Sequence, residues 1–170
     1  MRMLAEQAGV SKSLIFFYFN NKAELYMALW NHAAEITYLF LDEYGSHEDG
    51  LSFFDILDRC LNAKAEMMRK YPDIYRFVLR AYYEKDSKVS SRIRESYRKA
   101  LMKSGRDFAV QLQPEAFRKG LDLKQMYKTI LLASEGFVYT SVMNNRTDAD
   151  TFEREYSKLI GFWRELFERR

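Results

Sequence analysis

Apolar residues return at every third or fourth position along almost the whole chain, and no stretch of strand length alternates apolar with polar. That period belongs to helices with one buried face, so the sequence predicts an all-α protein of seven or eight helices. Leu25, Leu29, Ala33, Ile36 and Phe40 make the stripe of a long helix over 22–44, ended by Gly45 and the SHEDG stretch. Residues 51–69 follow, with Phe54, Leu57, Leu61 and Met68 on one face. This helix stops before Tyr71-Pro72, because the residue preceding proline avoids helical angles. A short aromatic helix over 73–83 leads to a longer one over 88–111, whose inner line is Val89, Ile93, Tyr97, Leu101 and Phe108. After a loop around Pro114 and Gly120, helices over 123–144 and 151–169 close the chain.

A chain of 170 residues buries roughly 70% of its unfolded surface and needs no staple to fold. None is on offer. Cys60 is the single cysteine, and His32 and His47 lie apart, which leaves no intramolecular disulfide and no zinc cage. Two prolines and seven glycines against 16% aromatic residues argue for a filled core and against disorder. With no apolar run of membrane length and no leader at its start, the chain reads as soluble and cytoplasmic, without a membrane partner. It has no Gly-rich phosphate loop, no metal-spaced His/Cys/Glu set and no nucleophile motif. The expectation is a non-enzyme with no cofactor and no metal; an enzyme on an all-α scaffold is the least favoured alternative.

The net charge of +3 is unevenly spread. Residues 1–44 carry three positive against five negative side chains, whereas residues 59–106 carry fourteen against five. Lys88, Arg92, Lys99, Lys103 and Arg106 share one face of their helix, either as a contact for an anion or, as is commoner, as a solvated face.

Chemistry concentrates in LAEQAGVSKSLIFFYFNNKAEL, residues 4–25. A short helix over 1–8 meets Gly9, which can take the left-handed angles that end a helix, and Val10 follows as an apolar plug. Ser11 suits the N-cap of a second short helix over 12–19, and Asn20-Asn21 breaks the chain before Lys22. Helix, glycine turn and second helix is the geometry of a helix-turn-helix, whose second helix enters the DNA major groove.

The order of residues here resembles the DNA-binding segment of the TetR/AcrR family of transcriptional regulators, at Leu4-Ala5, Ala8-Gly9-Val10-Ser11, Ile15, Tyr18-Phe19, Lys22 and Leu25. The resemblance implies that Ser11, Lys12, Ser13 and Leu14 open the recognition helix and face base edges and phosphates. Phe17 lies on the same helix, and Tyr18 and Lys22 would each contact a phosphate, Lys22 from a helix N-terminus suited to anions. Ile15 and Phe19 would hold the helix in place. The sequence departs from the family's pattern at Ser13, where a glycine is usual, at Leu14, where threonine is common, and at Phe16, where a tyrosine is usual. Leu14 offers only apolar contact, for instance to a thymine methyl. The family places a further helix before this motif, and this chain opens beside the motif's first residues. The expectation is that the 170-residue form binds specific DNA weakly or not at all.

The resemblance further implies two units: a helix-turn-helix segment with its linking helix over 1–44, and an effector-binding and dimerisation domain over 45–170. Middle helices of such a protein enclose a small-molecule pocket, for which Phe54, Leu57, Tyr75, Tyr82, Tyr97 and Phe137 are the candidates, suited to an apolar or aromatic effector. The last two helices would pair with those of a second copy through Ile130, Phe137, Tyr156, Ile160 and Trp163, although one subunit's own core could use the same stripes. Glu135, on an otherwise apolar helix, could meet a cationic effector or a partner subunit; the edge of the stripe, facing solvent, is the favoured reading. The function expected is a homodimeric repressor on a palindromic double-stranded DNA operator, released by its effector. The alternative is a helical ligand-binding dimer that has lost specific DNA binding.

Overall fold

The computed structural model describes residues 1–44, 50–110, 112–144, 146 and 148–169, with the side chains of 44 and 101–110 left aside. Eight α-helices follow one another among these residues: α1 Arg2–Gln7, α2 Lys12–Tyr18, α3 Lys22–Tyr44, α4 Phe53–Lys70, α5 Pro72–Tyr82, α6 Ser87–Val110, α7 Leu123–Met143 and α8 Ala149–Phe167. The fold is all-α, as the periodicity requires. Leu101, Lys103, Arg106 and Phe108, named from the sequence, lie outside the described side chains.

Local chemistry sets the helix ends. Ser52 and Asp55 form a reciprocal capping box at α4: the Asp55 backbone N–H donates to Ser52 Oγ at 3.2 Å, and the Ser52 N–H donates to Asp55 Oδ2 at 3.1 Å. Asp122 caps α7 through the N–H of Gln125, and Asp148 caps α8 through that of Thr151. Pro72 opens α5 at the position where its missing N–H costs nothing.

Two cores organise the packing. The larger joins α4, α7 and α8 around Phe53, Phe54, Met67, Ile130, Phe152, Tyr156 and Trp163, and reaches Phe40 near the end of α3. Arg164 of α8 ties this core's edge to α4, donating to Asp55 and Asp58 at 2.9 Å each. The smaller core packs Met27 and Trp30 of α3 against Ala81 of α5 and Val89 and Ile93 of α6. α3 therefore touches both cores while its first residues adjoin α2. One feature had no sequence signal: the loop after α6 crosses to the end of α8, where the Arg118 N–H donates to the Phe167 carbonyl and the Arg169 N–H to that of Ala116.

Candidate functional site

The turn between α1 and α2 is built on Gly9, whose φ of 66° lies in the left-handed region. The Val10 N–H closes the turn onto the Ala5 carbonyl at 3.0 Å. Ser11 is extended, and its hydroxyl accepts the Leu14 N–H at 3.1 Å, the N-cap expected of it. Ser13 Oγ sits 2.9 Å from Ser11 Oγ, so these two polar groups at the head of α2 are coupled.

Each residue proposed from the sequence for DNA contact is exposed: Ser11, Lys12, Ser13, Leu14, Phe17, Tyr18 and Lys22. Phe17 is 80% and Tyr18 66% exposed, with their rings edge to face at 5.2 Å. Lys12 lays its ammonium 5.7 Å from the Phe16 ring, a cation–π contact that holds its charge over the outer side of α2. Ile15 and Phe19 are half-buried and Ala5 is fully buried. The Asn20-Asn21 pair does more than break the chain. Asn21 Oδ1 accepts the Glu24 N–H at 2.9 Å, while a Glu24 carboxylate oxygen accepts from the backbone and side-chain N–H groups of Asn20. Lys22 is thereby set at the opening turn of α3 with its side chain in solvent.

The six effector candidates divide. Phe54 is packed solid: its ring meets Phe53 at 5.2 Å and Phe117 at 6.3 Å, with the Arg164 guanidinium 5.6 Å above it. Phe137 is likewise engaged, stacked on Tyr156 at 5.2 Å and tilted against Phe152 at 5.3 Å. Leu57 packs against the same core. Tyr75 is buried, and burial pushes its hydroxyl well above the usual phenol range. Tyr82 and Tyr97 stand apart from these. Their rings lie 4.5 Å apart between α5 and α6, and Tyr97 packs against the smaller core.

Tyr83, at the end of the aromatic helix and not among the six candidates, meets Tyr82 at 4.9 Å and Tyr139 at 5.0 Å. Burial first, and then the Glu135 carboxylate among other neighbours, raises the hydroxyls of Tyr82, Tyr83 and Tyr97, the latter two to about 12. Glu135 is half-buried on α7. An open cleft of about 460 Å³ is lined by Arg80, Tyr83, Glu84, Lys85, Val142 and Met143. None of the six candidates lines that cleft; the adjacent pair Tyr82-Tyr83 at the end of an aromatic helix was the available signal.

Of the residues expected at a subunit interface, Ile130, Tyr156, Ile160 and Trp163 are buried inside the chain's own larger core, and Phe137 packs against it. The outward apolar side chains of the same helices are others: Leu132 on α7 and Phe162 and Leu166 on α8. The face of α7 and α8 expected to meet a partner is therefore filled from within. Among the described residues no group of His, Cys, Asp and Glu could hold a metal, and no helix is long and apolar enough to cross a membrane.

Residues 1–29 match the family of bacterial regulatory proteins described as the tetR family. Among solved structures, the whole chain superposes on a TetR family transcriptional regulator from Chloroflexus aurantiacus J-10-fl with a TM-score of 0.63. The two are 16% identical, over 100% of this chain and 84% of the other. At that identity the likeness is one of fold. No curated protein matches.

Proposed function

We propose that the chain is a DNA-binding transcriptional regulator like those of the tetR family that its first 29 residues match, and that it acts as a homodimeric repressor releasing a palindromic operator when a small molecule binds among its middle helices. The observation that carries this reading is the span of α3. Its first turn holds Lys22 beside the recognition helix, and Met27 and Trp30, one to two turns further on, are locked against α5 and α6. A ligand that shifts α5 or α6 must then move α3, and with it α2. Two recognition helices reading successive major grooves need a separation of about 34–36 Å, so a tilt of α3 in each subunit is enough to disfavour the operator.

In this reading Ser11, Lys12, Ser13, Leu14, Phe17, Tyr18 and Lys22 meet the duplex, Lys12 and Lys22 by charge and Leu14 and Phe17 by apolar contact. Leu132, Phe162 and Leu166 supply the apolar centre of the subunit interface. Gly136 and Gly161, where an added Cβ would meet nothing within 4 Å, leave room for a close helix approach. Fluorescence anisotropy of the protein expressed from its own gene, with a labelled duplex spanning the DNA upstream of that gene, tests it. Saturable binding with two chains per duplex supports the reading; no preference over a scrambled duplex overturns it. The apolar surface of α2 at Leu14, Phe16 and Phe17 favours a second reading, a ligand-binding helical dimer without specific DNA binding.

A further inference from the structure

Two ring contacts set the direction of α5 along α3. Tyr71, which leads into α5, meets Phe40 near the end of α3 at 6.1 Å, and Phe77, further along α5, meets Tyr26 near the start of α3 at 5.4 Å. α5 therefore runs back towards the helix-turn-helix. From Phe77 to Lys85 the chain can advance up to about 12 Å, whereas Tyr26 lies only about 6 Å from Lys22 along the axis of α3. The corner between α5 and α6 thus reaches the level of Lys22. Ala23, next to Lys22, packs against the smaller core, to which Ala81 contributes before this corner and Val89 and Ile93 after it.

From Lys85 to Lys99 the chain carries six cations against two anions. Further along α6, Arg94 hydrogen-bonds Ser90, and Arg98 and Lys99 share Glu95. Lys85, Lys88 and Arg92 are exposed, and among the described residues their side chains have no ion-pair or hydrogen-bond partner. Lys88 and Arg92, four residues apart, share a side of α6 next to the buried Val89 and Ile93. The corner's own carboxylates are turned to its backbone. Glu84 accepts the N–H groups of Lys85 and Asp86 at 2.7 Å and 3.1 Å, and Asp86 accepts that of Lys88 at 2.9 Å.

We propose that Lys85, Lys88 and Arg92 form a second contact with duplex DNA, gripping backbone phosphates that flank the bases faced by α2. The proposal rests on the DNA-binding reading above and extends its footprint past the helix-turn-helix. Residues 1–44 hold three positive against five negative side chains, so the segment that faces the bases brings little charge of its own. Phosphate contacts supply affinity and register without reading sequence, and the corner supplies the charge for them.

The test is the salt dependence of anisotropy for the protein expressed from its own gene, on the upstream duplex and on a scrambled duplex of equal length. Lys85→Gln, Lys88→Gln and Arg92→Gln combined should lower the slope of log affinity against log salt by about two to three, on both duplexes alike. Lys85→Arg, Lys88→Arg and Arg92→Lys combined keep the charges and should keep the slope. Lys124→Gln is the control. This exposed lysine opens α7 close to Tyr127, which meets Phe53 at 6.4 Å, past the other end of α3. Circular dichroism checks that every variant is folded. A slope unchanged in the glutamine variant, or lowered as much by Lys124→Gln, overturns the proposal and leaves the regulator standing wherever the upstream duplex is preferred. A lowered slope with equal affinity for both duplexes supports the corner and overturns the specific regulator. No salt-dependent binding of the unaltered protein to either duplex overturns both.

Discussion

Tyr156 of α8 donates its hydroxyl to Ser134 Oγ of α7 at 2.7 Å, and the Ser134 hydroxyl in turn donates to the Ile130 carbonyl at 2.7 Å. This relay joins the last two helices on the side turned into the protomer, where Phe137 and Phe152 stack about the same tyrosine ring. Tyr156→Phe removes one hydrogen bond and keeps the ring. Chemical denaturation should show a loss of about 0.5–1.5 kcal/mol, with sedimentation unchanged.

The outward side of the same helices should behave in the opposite way. Phe162→Glu places a charge at an exposed apolar position, so it should dissociate the dimer in analytical ultracentrifugation while thermal unfolding of the subunit moves little. Ile160→Ala, two residues away in sequence but on the opposite side of the helix, opens a cavity in the core and should cost about 2–5 kcal/mol. If Phe162→Glu leaves the dimer intact, the interface lies elsewhere.

Most of this architecture is legible in the sequence because helical period, caps and breakers all act locally. The long helix, the stop at Tyr71-Pro72, the Ser11 cap and the glycine turn each depend on residues within one or two turns, and the structure has them at or within a few residues of the expected positions. What the sequence could not decide is which side of a two-sided stripe faces inward. α7 carries apolar residues around most of its circumference, so Ile130 and Leu132 are equally apolar as letters, yet one is 3% and the other 56% exposed. The same limit applied to the effector residues. Phe54 and Tyr82 are both aromatic, but only the packing of Phe53, Phe117 and Arg164 around the first places it in the larger core.

Gly9 gives a sharp test of the turn. An added Cβ would meet no atom within 4 Å, so Gly9→Ala acts only through its φ of 66°. A left-handed alanine costs about 1–2 kcal/mol. That strain falls on two short helices that bury only Ala5 fully, so DNA affinity should drop by about tenfold while the melting of the helical domain stays put.

The tyrosine cluster sets an alkaline limit. Burial, with Glu135 nearby, holds Tyr83 and Tyr97 protonated to about 12 in the folded chain, against 10.0 for a free tyrosine. Between those values the unfolded chain has lost protons that the folded chain keeps, so stability falls as pH rises. The contribution is whole below pH 10 and gone once pH passes about 12. Tyrosinate absorbance near 295 nm, followed with helicity, should show these residues ionising together with loss of structure. Full ionisation near pH 10 with helicity retained would contradict the burial of the cluster.

Salt dependence is the sharpest probe of duplex DNA binding by this protein. The protein expressed from its own gene, and its Lys12→Ala and Lys22→Ala forms, should be titrated against the upstream duplex at several salt concentrations. Log affinity should fall linearly with log salt, with a slope reduced by about one for each lysine removed. A slope unchanged by either substitution, or affinity no greater than for a scrambled duplex, would contradict it.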